Sequence, residues 1–324
     1  MLKYAIHTEK NSLTIGFGGD AMLGRGVNAK ISTTYASYPW GNVLPLLKKN
    51  DVNILNLETT LTKSNKKVLK YFNFKADPDT VKTLEEAKID IVTLANNHIL
   101  DFSEEGLIET LEVLDKACIK HTGAGRNAEE AAKATILTKN NITMGVLGYT
   151  DNEPDWKATD RPGTNYITVG DIDRVHSDIE QIKNKTDILI ISIHWGPNMQ
   201  ERPTQKFITF AHQMMDAGAD IIHGHSAHIF QGIELYKNGL ILYDTGDFVD
   251  DYVVDSYLRN DRSFLFLCEV DPKKVKSLRL IPLLIKNRQV NIAKGEDYAG
   301  CMQRMQQLSA AFGTKITDDG YLTM

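Results

Sequence analysis

Cysteine is scarce in this chain, with three among 324 residues, and Cys118, Cys268 and Cys301 are spaced too widely for a zinc knuckle or a disulfide framework. That scarcity predicts buried thiols in a reducing compartment, hence a cytoplasmic protein as the chain is given. No Lys/Arg run exceeds three residues and the formal net charge is −5, so the electrostatic footprint of a nucleic-acid partner or an anionic membrane is missing. An acidic polymer would need a local basic pocket. Nowhere do about eighteen apolar residues run together, which excludes a transmembrane segment. The opening "MLKYAIHTEKNSLTIGFGGD" lacks a secretory apolar region; a signal trimmed from the chain would instead place the protein at a membrane surface or outside. G-x-S-x-G is absent, and the serine-hydrolase reading has no starting point.

What the sequence does have is alternation. Short apolar runs, "LTIGFGG" (13–19), "VNILNLE" (52–58), "IDIVTLANN" (89–97), "ITMGVLGYT" (142–150), "DILIISIHWG" (187–196) and "DIIHGHSAH" (220–228), read as strands. Between them, 77–88, 103–117, 170–185 and 204–218 carry helical spacing, with Ser103 opening one helix and Gly218 closing another. From 229 onward the pattern changes to successive antiparallel strands with "KNG" and "KNR" turns, followed by a helix over 296–312. The chain is α/β, and no repeat or linker divides it. The expected organisation is an N-terminal extension (1–11), one large domain (12–292) and a C-terminal helix and tail (293–324).

"GFGGDA" (16–21) matches the dinucleotide fingerprint G-x-G-x-x-A but fails on context. The following "MLGRGV" is a poor helix opening, no acid lies between Asp20 and Asp51 to hold a ribose, and Asp20 would face the pyrophosphate.

Nearly every strand of the first two-thirds ends in a potential metal ligand: Asp20, Glu58, Asn97 with His98, His194, and the cluster His223, His225 and His228. Singly, a polar strand end is ordinary loop chemistry. In open α/β sheets, however, the carboxyl ends of strands converge on one crevice. The mixture of carboxylate, amide oxygen and imidazole suits one or two borderline divalent ions such as Mn²⁺, Fe²⁺ or Zn²⁺, and Glu58 or Asp20 could bridge two of them. Period-two alternation places His223 and His225 on one face of a strand. His225 and His228 are the expected ligands, with His223 close behind as support or alternative. Arg126, in "GAGRN", is a candidate for a substrate carboxylate or phosphate, although a surface ion pair is the commoner fate of such an arginine.

In order, "GD" (19–20), "NLE" (56–58), "NNHILD" (96–101), "HWG" (194–196) and "GHSAH" (224–228) resemble the CapA family of bacterial capsule-synthesis proteins. "FNFKADP" (72–78), "GAGRNAEEA" (123–131), "DAGADIIHGH" (216–225) and "LYDTGDF" (242–248) fit the same pattern, the last with Asp247 in place of an asparagine, where it is a candidate to support the ligands or bind substrate rather than a ligand itself. The resemblance covers roughly 13–250. It implies a four-layer α/β/β/α sandwich like that of the calcineurin-like metallophosphoesterases, with metals at the strand ends.

It also implies roles: Asp20 as the opening metal carboxylate, Glu58 where those enzymes place a bridging aspartate, and Asn97 lending an amide oxygen. His98 stands as the proton donor to the leaving group, Asp101 orients its ring, and His194 with the clustered histidines completes the set. Three departures stand out. The first motif reads "DAM", with Met22 where a histidine ligand is expected, the acid lies at Asp101 three positions past His98, and the closing element is His-x-x-His. The implied function is a metal-dependent hydrolase or group-transfer enzyme acting on poly-γ-glutamate, a related acidic polymer or a phosphorylated small molecule, alongside other capsule-synthesis proteins. The alternative is a non-catalytic component of the same fold, which Met22 favours and the Asn97–His98 pair opposes.

Overall fold

A computed structural model describes residues 11–323; most of the expected extension 1–11 lies outside the described residues. Two sheets dominate. The first has nine strands, in the order Gln289–Ile292, Lys274–Lys286, Arg262–Asp271, Leu13–Ala21, Val52–Leu57, Ile91–Thr93 and Lys120–Thr122. Asp247–Val249 is added alongside Leu13–Ala21, and Tyr321–Thr323 alongside Lys274–Lys286. The second has six, in the order Ile233–Tyr236, Gly239–Leu242, Ile221–His225, Ile188–His194, Ile142–Thr150 and Thr135–Lys139. The sequence-predicted strands form the parallel centres of both sheets. They are covered on both faces and therefore read as nearly continuous apolar runs.

Side-chain alternation sorts each strand between two cores. Leu13, Ile15, Phe17 and Ile54 face Ile188, Ile190 and Ile221 in a core between the sheets. Leu55 and Leu57 turn the other way, onto Val27, Trp40, Leu84, Leu107 and Leu111. On the far side Leu189, Ile191 and Ile193 meet Val175, Ile179, Phe210 and Met214. The layers are therefore helix, sheet, sheet, helix, as the resemblance implied. The helix Gly295–Ala310 adds Cys301, Met302, Met305 and Leu308 to the central core.

Local readings and the structure part company in four places. The strand expected over 89–97 is paired only over Ile91–Thr93, and 94–102 is released as the turn carrying Asn97, His98 and Asp101. A helix, Arg25–Thr33, does follow "MLG". Its start is held by Asp251, which accepts from the Gly26 amide at 2.9 Å and pairs with Arg25. Ser103 begins its helix with φ +64° and spends its hydroxyl on the Lys66 carbonyl (2.8 Å) rather than on a cap. Gly239–Leu242 pairs antiparallel with Ile233–Tyr236, as expected, but also runs parallel to Ile221–His225.

Candidate metal centre

Asp20 is the penultimate residue of the strand Leu13–Ala21, past a register shift between Phe17 and Asp20. A Cβ on Gly19 would lie 1.7 Å from the Gly246 carbonyl oxygen, so only glycine lets the 244–247 turn approach. That approach sets Asp247 directly beside Asp20 in parallel register. On the other sheet, His194 and His225 are register neighbours, and the chain then turns through Ser226 and His228, both at positive φ. The strand ends of the two sheets thus meet.

Two overlapping groups result, and in each the ligand atoms lie within 4.8 Å of one another: Asp20, His194 and His225, and Asp20, Glu58, His228 and Asp247. Asp20 is common to both. All six side chains are buried. In the first group, the ring Nδ1 atoms of His194 and His225 are 2.9 Å apart and lie 3.7 and 3.6 Å from Asp20 Oδ1. In the second, His228 Nδ1 is 2.9 Å from Asp247 Oδ1 and 3.6 Å from Asp20 Oδ2, and its Nε2 lies 4.0 Å from Glu58 Oε1.

Hydrogen bonding assigns the tautomers, since the hydrogens themselves must be inferred from partners. His194 Nε2 lies 3.1 Å from Asn97 Oδ1 and donates to it, and its Nδ1 faces the Asn56 amide at 3.4 Å. His223 Nε2 donates to the Gly18 carbonyl (2.9 Å), so its Nδ1 accepts from Ser192 Oγ (3.1 Å). Ser192 Oγ in turn accepts from His225 Nε2 (3.0 Å). His194 and His225 are therefore left with Nδ1 lone pairs directed at each other. Burial holds both rings well below the ordinary histidine pKa, which disfavours a shared proton. The arrangement suits a cation.

The carboxylates give the same answer. Among the described residues, Asp20 Oδ2, Glu58 Oε1 and Asp247 Oδ2 are buried with no hydrogen-bond partner, a costly state for a carboxylate unless a cation compensates. Burial pushes Asp20 up to about 6, and raises Glu58 and Asp247 well above the carboxylate range. His228 is the exception among the rings: burial opposes its charge, but Glu58, Asp20, Asp244 and Asp250 together outweigh it and raise its pKa. The donor set of imidazole and carboxylate fits borderline divalent ions.

Met22 is not in either group. It is fully buried, and its sulfur accepts from the Gly24 amide at 3.2 Å, turned back into its own loop. Asp247 reaches the second group from a different strand.

His98 stacks on Phe74 with ring centroids 3.8 Å apart. Its Nδ1 is 2.6 Å from Asp101 Oδ2, which also accepts from the Phe74 amide (2.6 Å). Nε2 is thereby turned toward Glu58 Oε1, 4.0 Å away. Burial draws His98 down to about 4 despite Asp101. Asn97 is half-buried and its amide oxygen faces His194. Arg126 is not brought into the cluster; it pairs with Glu130 at 2.5 Å and lies 3.9 Å from Asp115 on the surface.

Several residues of the centre escaped the sequence reading. Asn56 donates to Asp20 Oδ1 at 2.7 Å; its place two positions before Glu58, on the same strand face, was the available signal. Tyr252 donates to Glu58 Oε2 at 2.9 Å. Asp244 receives the Ala227 and Gly246 amides, each at 2.8 Å, and fixes the turn between the two groups. Lys70 donates to the Asn97 carbonyl and pairs with Asp101 at 3.2 Å. Asn56 and Asp244 lie inside the quoted stretches "NLE" and "LYDTGDF", whereas Lys70 and Tyr252 lie in none.

Two facing sheets with a shared-carboxylate, histidine-rich cluster at their joined strand ends define a protein of the metallophosphoesterase fold. The fold is shared with the solved NAD nucleotidase of Haemophilus influenzae, at a TM-score of 0.50 and 14% identity over 92% of this chain and 57% of that one. The chain belongs to the bacterial capsule synthesis protein (PGA_cap) family, whose model matches residues 14–252. It is 31% identical to the "Probable polyglutamine synthesis accessory protein" of Mycobacterium tuberculosis, covering 94% of this chain and 93% of that protein. It is 28% identical to the capsule biosynthesis protein CapA of Bacillus anthracis, covering 86% of this chain and 69% of the relative.

Proposed function

We propose that the protein is a metal-dependent hydrolase or group-transfer enzyme that works on an acidic, γ-glutamyl-type polymer during capsule synthesis. The observation that carries the metal chemistry is the pair of ligand groups sharing Asp20, with three buried carboxylate oxygens lacking partners. The polymer is supported by the family and by the names of the relatives in Mycobacterium and Bacillus; other capsule-synthesis proteins are the expected partners. Among the described residues no helix is long and apolar enough to cross a membrane.

His194 and His225 with Asp20 would hold one divalent ion, and His228, Glu58 and Asp247 with the same Asp20 a second, with Asn97 beside His194 at the rim. When bound, such ions polarise a phosphoryl or acyl oxygen and lower the pKa of water. Asn56 fixes the Asp20 carboxylate, and Tyr252 fixes Glu58. His98 handles the proton: Asp101 anchors Nδ1–H, which leaves Nε2 as an acceptor at neutral pH. An anionic substrate arriving beside the ring raises its pKa, and the protonated ring then donates to the leaving group.

The non-catalytic reading rested on Met22, and Asp247 beside Asp20 weakens it. Elemental mass spectrometry of the untagged protein, with turnover of a generic phosphodiester and of a γ-glutamate oligomer under added Mn²⁺, tests the proposal. Two ions per chain with turnover of either substrate is the expected result. An empty centre with no turnover would return the protein to a binding role.

A further inference from the structure

Away from the strand ends, four arginines line one cavity of about 370 Å³: Arg202, Arg259, Arg262 and Arg304, with Glu201 as the acid among its lining residues. Arg259 makes a two-pronged pair with Asp261 (2.7 and 2.9 Å), and Arg262 holds Asp297 at 2.7 Å. Arg259 also reaches Asp297 at 3.1 Å, and both acids line the neighbouring hollow, so these two guanidiniums are fixed in place by carboxylates outside the cavity. Arg202 is exposed, with no ion-pair partner among the described residues. Arg304 lies over the Phe230 ring at 5.2 Å and donates through Nη1 to the Leu258 carbonyl. Its Nη2 is buried without a hydrogen-bond acceptor, the nearest carboxylate being Glu201 at 4.0 Å. In a chain of net charge −5, this concentration of guanidinium is a local reversal.

The segments that line the cavity adjoin, along the chain, those that carry the metal centre. Phe230 follows His228 by two positions, and Glu201 and Arg202 belong to the loop after His194. That loop is pinned to the histidine-bearing turn by the Met199 amide on the Ala227 carbonyl, 2.8 Å. Tyr257 lies on the segment that begins with Tyr252, the partner of Glu58.

We infer that this cavity is a carboxylate-binding subsite, which holds acidic side groups of an extended peptide chain whose reacting bond lies at the metal centre. The inference rests on the polymer reading above and adds where the polymer's charge is recognised. Guanidinium forks match planar carboxylates; Arg202 offers an exposed one, and Arg304 lines the same cavity.

The test is binding of a fluorescent γ-glutamate oligomer to the full chain by anisotropy, at low and at raised salt. Arg202→Gln, at an exposed residue, is expected to weaken binding several-fold and to leave phosphodiester turnover unchanged. Arg304→Gln is expected to weaken it about tenfold, the scale of one charge-assisted hydrogen bond, with folding checked by circular dichroism. Should Arg304→Gln not fold, Arg202→Gln with Arg262→Gln carries the test. Unchanged binding in the folded variants overturns the subsite, as does displacement of the oligomer by inorganic phosphate at concentrations where glutarate has no effect. Loss of binding in the arginine variants of a protein without turnover would keep the subsite and remove the hydrolase, which separates the two claims.

Discussion

At the residue scale, Asp247 and His98 depart most from what their neighbours in sequence suggest. Asp247 lies in the second ligand group, while Met22 is turned back into its own loop. Asp247→Asn is therefore expected to lower metal content by about one ion per chain, while Met22→Leu, a volume-conserving change at a buried site, leaves it intact; elemental analysis of both decides. His98 makes no contact that holds the cluster's ligands to one another, and its ring is fixed by Asp101 and Phe74. His98→Gln should retain both ions and lose turnover by about 10²–10⁴-fold, the usual contribution of a positioned acid or base. Equal loss of metal would make His98 a structural member of the centre.

At the scale of elements, the parallel strands were legible because burial on both faces writes them as apolar runs, and Ile142–Thr150 matches its expected bounds. The polar strand ends were legible for the same reason: Asp20, His194 and His225 interrupt those runs at their carboxyl ends. The remainder was not, because it depends on approach between segments far apart in the chain. The helix after Met22 is capped by Asp251, and Asp247 meets Asp20 across a gap that only Gly19 permits. Neither relation leaves a periodic trace. Gly19→Ala tests the second one. Displacing the Gly246 carbonyl should cost about 1–3 kcal/mol, as overpacking does, and should pull Asp247 out of register. A lowered melting temperature together with reduced metal content is expected; a lowered melting temperature with full metal would show that Asp247 reaches the ions by another route.

At the scale of the whole molecule, the centre concentrates buried acid. In the metal-free protein burial lifts Asp20 and Asp250 to about 6 and Asp244 to about 8, against an ordinary value of 3.8. A carboxyl whose folded pKa is raised keeps its proton after the unfolded chain has released it, so the folded state binds more protons and stability falls as pH rises through that interval. Below pH 6.5 the histidines that burial holds low carry the opposite sign, because only the unfolded chain protonates them there. Above it Asp244 still holds a proton, and the metal-free protein is expected to melt higher at pH ~7 than at pH ~8.5. Saturating Mn²⁺ should reverse the order, because ion binding requires the deprotonated ligands and stabilises the state that binds it. Calorimetry at the two pH values, with and without the ion, provides the check, and an apo melting temperature that rises with pH would contradict it.

The cluster draws Asp20 and, from late in the chain, Asp247 from the first sheet, Glu58 from just past its strand Val52–Leu57, His194 and His225 from the second sheet, and His228 from the turn after it. No shorter stretch of polypeptide contains the whole set. During synthesis, then, the nascent chain can fold its early strands long before it can load metal, and complete loading must wait until residue 247 has cleared the ribosome. Protein released before that point would possess every residue of the first ligand group but lack Asp247 of the second, which makes occupancy of the second group a measure of whether translation ran to completion.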